Sequence, residues 1–455
     1  MMRQILIPAC LLLASCTVPV PSAETPTRAA IAESTLPPMK NFARPQTAGP
    51  TRSNRDIARD FLDLSFMLES GRPLHTLTRF EGPISVRVTG NAPQHLTYEL
   101  NRLLQRLRTE AGISIGLTQS PNANITIEAV SRKEIRRHLP QAACFVVPNI
   151  SSLSQYRAAR RSSRTSWAAL KQRERLAIFL PHDVSPQEVR DCLHEELGQA
   201  IGPLNDLYRL SDSVFNDDNM HTVLTGFDML ILRAYYDPSL RNGMTREAVA
   251  ARLPAILARI NPAGERRSSY PLPGTSREWI AAVQAALGPG AGASERRRSA
   301  IRALNEAKRQ GWRDHRLAFS YYALGRLLQS HDAELAQEHF LAADQIYRQT
   351  PGTDLHRAYV ASQLAAYAIS SGRGEQALGI VNPHLATAAQ NENAALLSTL
   401  MLLRAEALDL TGQSAEARSV RLDSLGWARY GFGADWAVRA KLREIAALSP
   451  LKGRL

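Results

Sequence analysis

The sequence predicts an α+β domain followed by an all-α domain of helical repeats. Three observations point there. Up to about residue 260, short alternating runs such as Ile84-Ser85-Val86-Arg87-Val88 are interleaved with stretches of helical periodicity. Past about residue 295 every apolar stretch has helical spacing. Between the two, Gly288-Pro289-Gly290-Ala291-Gly292-Ala293-Ser294 breaks the pattern.

Taken in order, the chain opens with Met1-Met2-Arg3, the apolar run ILIPACLLLA and Leu13-Ala14-Ser15-Cys16. A run this short cannot span a bilayer as a mature helix, so residues 1–15 read as a signal peptide. Leu13-Ala14-Ser15-Cys16 resembles the lipobox of bacterial lipoproteins. That resemblance implies that Cys16 becomes the acylated first residue. Thr17 rather than Asp follows it, which implies an outer-membrane lipoprotein of the bacterial cell envelope, facing the periplasm. A soluble secreted protein cleaved near Ser22-Ala23 is the alternative. Residues 16–50 are rich in Pro, Ala, Thr and Ser and too poor in large apolar residues to fold, so they read as a tether.

The α+β domain is expected over 51–260. Its first helix runs from Asp56 to Glu69, ended by Gly71; a strand lies at 84–88, and Pro93 opens a second helix carrying Leu96, Leu100, Leu103, Leu104 and Leu107. Asn124 to Val130 alternates again, Cys144 to Val147 is a short apolar run, and Arg175 to Leu180 is another. The next helix starts after Ser185, which suits a cap, with Pro186 in the first turn.

Residues 261–294 read as a linker and 295–455 as the repeats. Three stretches there, 321–347, 363–385 and 402–425, each read as an apolar helix, a short turn and a second helix entered by Glu-x-Ala. Ala336, Ala377 and Ala417 fall about 40 residues apart. These stretches resemble tetratricopeptide-type repeats, which implies a protein-binding role; a non-repetitive bundle is the alternative.

Removal of Cys10 with the signal and acylation of Cys16 leave Cys144 and Cys192 in an oxidising compartment. Their pairing is the economical reading, with two buried thiols as the alternative.

The segment HEELGQAIGPLND, 194–206, carries the chemistry. A helical zinc site needs His at i and i+4, but Gly198 stands four residues after His194. Reading from Glu195, the segment EELGQAIGPLN resembles the metzincin pattern HExGHxxGxxH without a gap. Glu195, Gln199 and Asn205 then stand at the three metal-ligand positions, Glu196 at that of the general base and Gly202 at the turn. Downstream, Ser213-Val214-Phe215 resembles the methionine turn, with Phe215 replacing Met, and Leu224 to Tyr236 resembles the closing helix with its early Asp228. The region also looks like an uncharacterised family of exported bacterial proteins with a Glu-Glu-x-x-Gln-x-x-Gly-x-x-Asn-Asp signature. The resemblance implies a zincin-like fold and a peptide cleft. Every metal-binding histidine is missing, and a Glu, Gln and Asn set suits harder ions better than zinc. No cofactor is therefore expected, with a divalent metal, zinc or a harder ion, as the open alternative. His194 points about 100 degrees away from Glu195 on a helix, so a surface or supporting position is expected for it. His182 and His221 could join a site from loops.

Arginine dominates a net charge of +13 and is concentrated in Tyr156 to Arg175. In an envelope protein this suggests attraction to anionic lipid headgroups or lipopolysaccharide, or simply a solvated loop. Export argues against nucleic acid. The function expected is a membrane-anchored pseudoenzyme that binds an envelope protein or peptide, with a metal-dependent hydrolase using Glu196 as the alternative.

Overall fold

The computed structural model describes residues 34–42 and 49–452; the signal peptide, Cys16 and much of the expected tether lie outside the described residues. The first part contains α1 (Asn54–Ser65), β1 (Ile84–Gly90), α2 (Gln94–Thr109), β2 (Ile115–Leu117), β3 (Ile125–Val130), α3 (Arg132–His138) and β4 (Phe145–Pro148). It continues with α4 (Leu153–Ala159), β5 (Leu176–Pro181), α5 (Pro186–Ile201), α6 (Gly226–Tyr235), α7 (Arg246–Ala250) and α8 (Leu253–Ile260). Helices alone follow: α9 (Arg277–Leu287), α10 (Ala293–Arg309), α11 (His315–Leu328), α12 (Ala333–Gln349) and α13 (Asp354–Ser370). The last are α14 (Gly374–Val381), α15 (Leu385–Gln390), α16 (Ala394–Leu410), α17 (Ser414–Phe432) and α18 (Asp435–Ala446). Among the described residues, no helix is long and apolar enough to cross a membrane.

The sheet order is β2-β1-β3-β5-β4, parallel except for β4, which pairs antiparallel to β5. Every residue of β5 is buried, the pattern of a strand covered on both faces. Ile84, Val86, Ile125, Ile127, Leu176, Ile178 and Leu180 face the main core, shared with α1, α2, α5 and α6. Ala177, Phe179, Phe145 and Val147 face a smaller core with Ile135, Ile150 and Leu153. The alternation of apolar residues along the strands is thus set by which cover each face meets.

Helix α1 stops at Ser65, four residues before the expected end at Glu69. Met67 forms an antiparallel bridge with Pro73 across a tight turn in which Gly71 has φ of 82°. Glu69 therefore sits on a turn instead of a helix.

Helix α5 is the centre of the first part. It packs on β4 and β5, on α2 and on α17, and its buried residues lie all around it. Cys144 and Cys192 form a disulfide with a Cα separation of 5.9 Å, tying the start of β4 to α5. Closing a loop of this size restricts the unfolded chain by about 4 kcal/mol in the chain-entropy account. At the other end, the buried Arg173 guanidinium donates to the carbonyls of Gln199 at 2.8 Å, Ala200 at 2.9 Å and Gly202 at 2.6 Å. A buried helix C-terminus leaves carbonyls without intrahelical partners, and this one arginine satisfies three of them.

The three repeat stretches are helical pairs: α11 with α12, α13 with α14, and α16 with α17. Ala336, Ala377 and Ala417 are fully buried where paired helices meet. Two expectations need correction. The expected linker, 261–294, contains α9, whose buried Trp279 packs against Trp312 and Phe319 in the helical core. The C-terminal end of the described tether is docked: Phe42 stacks on Trp427, and the Lys40 amide donates to Gly426 O at 3.1 Å. Arg429 adds a bond to Pro37 O at 2.9 Å, and Lys40 pairs with Asp423.

The helical part closes over α2 and α5. Arg190 on α5 donates to Glu392 O at 2.6 Å, Arg102 on α2 pairs with Glu392 at 2.9 Å, and Tyr430 donates to Glu99 at 2.7 Å. Glu392 holds a left-handed φ of 52°, which a bulky residue adopts only where its surroundings over-determine it. A second contact is a row of buried histidines. His221 lies 6.0 Å from His356, and His356 lies 6.3 Å from His315, between ring centres. His356 Nε2 meets Asp218 at 3.0 Å and His315 Nε2 meets Tyr208 O at 2.7 Å, while Nε2 of His221 and Nδ1 of His315 and His356 lack partners. Burial and the neighbouring His356 hold His221 down to about 4, and burial does the same for His315.

Two outcomes follow from this packing. A folded-state value near 4 against an ordinary one near 6.5 means that the folded chain binds fewer protons at these rings. Each ring then contributes up to about 3 kcal/mol, fully present above pH 6.5 and lost as pH falls toward 4. Denaturation of the mature chain across that window should show the fall, and His221→Gln with His315→Gln should flatten it; an unchanged slope contradicts the assignment. Arg173→Met should destabilise by about 3 kcal/mol or more, because three buried carbonyls lose their donor. A change below about 1 kcal/mol in the same measurement would rule out that capping role.

Candidate functional site

Helix α5 starts as its residues dictate: Ser185 accepts from the Glu188 amide and Pro186 lies in the first turn. It ends at Gly202. Space at this position is limited by α6: a Cβ here would lie 2.4 Å from Leu232 Cδ2. Gly198 is similarly close, with Phe215 and Leu224 each 3.3 Å from where its Cβ would be.

Phe215, buried under Gly198, is positioned by Asp228. The Asp228 carboxylate accepts from Ser213 Oγ, from the Val214 amide at 3.0 Å and from the Thr225 amide at 2.8 Å. One side chain in the first turn of α6 thus caps that helix and fixes the 213–215 turn beneath α5. The residues read from the sequence as a turn and a closing helix meet here.

The motif side chains divide. Glu195 is half-buried, Glu196 is 4 % exposed and Gln199 8 %. Gln199 Nε2 reaches Glu69 Oε1 at 3.4 Å, so the turn after α1 brings a further carboxylate to α5. Asn205 turns away: its Nδ2 donates to Asp63 O of α1 at 2.9 Å. Asp206, next in the chain, and Asp217, from the loop before α6, complete the group.

The electrostatics of this group are one-sided. Burial first, then the charges of Asp217, Glu69 and Asp191, push Glu195 up to about 7. Burial with Glu195 and Glu69 raises Glu196 well above the carboxylate range, and burial with Glu69, Asp217 and Glu195 does the same to Asp206. Asp217 rises to about 6 through burial, Glu69 and Asp218, against hydrogen bonds from Gln284 and Tyr208. Among the described residues, none of Glu69, Glu195, Glu196, Asp206 and Asp217 takes part in a salt bridge. Arg277 reaches Glu69, but at its backbone carbonyl, at 2.8 Å. Glu196 Oε2 and Asp206 Oδ1 are buried with no hydrogen-bond partner.

Of the two positions expected for His194, surface or supporting, the surface one is not taken: it is buried, its Nδ1 accepts from the Leu224 amide at 3.1 Å, and burial beside Arg106, Arg190 and Arg102 holds it well below its ordinary value. The surface is excluded because α5 is covered on all sides. The His182 amide continues the sheet by donating to Val130 O, and His221 belongs to the histidine row. Neither is among the groups acting on the four raised carboxylates. In the basic segment, Arg157, Arg160, Arg161, Arg164 and Arg175 are exposed, while Arg173 is the buried cap.

Among the described residues, no group of three or more His, Cys, Asp or Glu side chains is arranged to hold a metal ion. The amides of Gln199 and Asn205 are engaged by Glu69 and by α1. What the arrangement can do is hold protons near neutral pH and accept positive charge. Sequence reasoning missed Glu69, Asp206 and Asp217 as site residues; only Asp206 carried a signal, as the last residue of the signature.

Comparison with known proteins bears on the α+β part alone. No curated protein and no solved structure matches the chain. Residues 54–255, under half of the 455-residue chain, match a family described as "Protein of unknown function (DUF2927)". The match runs from the start of α1 into α8 and includes α5 and all five carboxylates, so the part of the chain that carries the candidate site is the part similar to that family.

Proposed function

We propose that this protein is an envelope lipoprotein, held by Cys16 to the outer membrane and facing the periplasm. On this reading its α+β domain is a degenerate metzincin-like fold that binds a peptide or protein partner beside α5 without cutting it. The paired helices, taken as tetratricopeptide-like repeats, add protein contacts, and the exposed arginines of 156–175 favour anionic headgroups or lipopolysaccharide.

The observation that carries the reading is the fate of the ligand positions. Asn205, at the third, is hydrogen-bonded to Asp63 O of α1, and Gln199, at the second, to Glu69. A metal-activated water needs three convergent protein ligands and an open position. Support for the fold comes from the order of helix, strands and motif helix, from Phe215 under Gly198, and from Asp228 holding the 213–215 turn.

A second reading, hydrolysis with Glu196 as general base, is favoured by one observation: Glu196 is buried, unpartnered and adjacent to a carboxyl near 7. Complementation of a deletion strain separates the two. The Glu196→Gln variant should restore function fully, because binding keeps its shape, whereas loss of a general base typically removes about a hundredfold or more of activity. Loss of function in folded, correctly localised Glu196→Gln protein would establish the hydrolase. The Cys16→Ser variant should leave the membrane fraction; retention there with fatty-acid labelling would overturn the anchor.

A further inference from the structure

We infer that the cleft beside α5 is a receptor for an organic cation: the ammonium or guanidinium of a lysine or arginine side chain in a partner peptide. This rests on the binding reading above and names the chemistry of the partner.

Five carboxylates from four places in the chain lie near enough to act on one another: Glu69 on the turn after α1, which Gln199 of α5 reaches at 3.4 Å, Glu195 and Glu196 on α5, Asp206 after it, and Asp217 before α6. Their hydrogen-bond donors are neutral: Gln199 for Glu69, and Tyr208 and Gln284 for Asp217. Other buried acids have partners for their charge: Asp60, Glu99 and Glu392 pair with arginine, and Asp228 accepts from Ser213 Oγ and the Val214 and Thr225 amides. A chain with 55 Lys and Arg residues has no shortage of cations, yet among the described residues the one that reaches this group, Arg277, bonds the Glu69 backbone carbonyl and not a carboxylate.

Independently of the clustering, Glu196 is 4 % exposed and its Oε2 has no donor of any kind. Leaving a buried carboxylate oxygen unsatisfied costs more than leaving a neutral one, and native structures rarely keep such an atom without a reason. Exposure differs across the group: Glu69 is exposed, Glu195, Asp206 and Asp217 are half-buried, and Glu196 is buried. A long side chain with a charged tip matches that range.

Geometry selects an organic cation over a metal ion. Calcium needs six to eight oxygens converging at about 2.3–2.6 Å, and no such convergence exists among the described residues. An ammonium carries three donors and a guanidinium five, each bonding at about 2.7–2.9 Å, so both can span carboxylates that stand farther apart. The net charge of +13 repels a basic peptide from most of the surface, which leaves the acidic cleft as its favoured landing place.

The test uses the full mature chain and defined probes: acetyl-Ala-Ala-Lys-Ala-Ala-amide, its Arg analogue and its norleucine analogue, followed by calorimetry. The Lys and Arg peptides should bind one per chain and at least about tenfold tighter than the norleucine peptide, the discrimination expected of one desolvated charge-assisted bond. Glu195→Gln and Asp217→Asn should each weaken the Lys peptide about tenfold while raising the melting temperature, because they remove repulsion; Asp423→Asn, on a distant exposed helix face, should do neither. Equal binding of the three peptides, or none, overturns the inference. So does stoichiometric binding of Ca²⁺ or Zn²⁺ that Glu195→Gln abolishes. Failure here with Glu196→Gln still complementing removes the cation and leaves the binding reading standing; loss of complementation removes that reading itself.

Discussion

The contact on which the rest depends is the Arg173 guanidinium at the end of α5. A helix covered by the sheet, α2 and α17 cannot satisfy its last carbonyls with water, and Arg173 supplies three bonds from within. With the Cys144–Cys192 bridge at mid-helix and α6 pressed against Gly202, α5 is fixed at both ends of its second half. Everything functional hangs on that rigidity. Carboxylates on a loose helix would swing apart and hydrate, whereas here Glu195 and Glu196 are held where Glu69, Asp206 and Asp217 act on them.

Two opposed titrations result. The raised carboxyls bind more protons folded than unfolded, so they favour folding as pH falls toward their unfolded values and weaken it as pH rises through about 6 to 7. The buried histidines act in reverse, weakening folding as pH falls from their ordinary 6.5 toward 4. One set lies in the cleft and the other where the helical part meets the loop before α6. Repulsion is retained among these carboxylates although Asp60, Glu99 and Glu392 have arginine partners and Asp228 has hydrogen-bond donors, and retaining it costs folding stability.

Much of the scaffold was legible because local chemistry dictated it. Ser185 and Pro186 fixed the start of α5, lone cysteines predicted the bridge, and Asp228 signalled the capped helix that positions Phe215. The buried alanines at 336, 377 and 417 marked the helical pairs. What escaped was long-range. Glu69 seemed to lie in α1 until a turn at Gly71 redirected it, and Asp217 belongs to a loop with no periodicity. For His194 a surface and a supporting position were both open, because a lone helix has an outward face; covered on all sides, α5 does not. Asn205 stands in the right register for a ligand and yet bonds α1, a choice that spacing cannot express.

The account's central claim is that α5 holds uncompensated carboxyls in a half-buried cleft, and the titration of Glu195 tests it most directly. With ¹³C-labelled glutamate and the resonance identified by its loss in Glu195→Gln, the account predicts a midpoint of about 7 that falls when Asp217 is replaced by Asn. A midpoint at the ordinary 4.5, indifferent to Asp217, would mean that the charges are screened or apart, and the cleft described here would not exist.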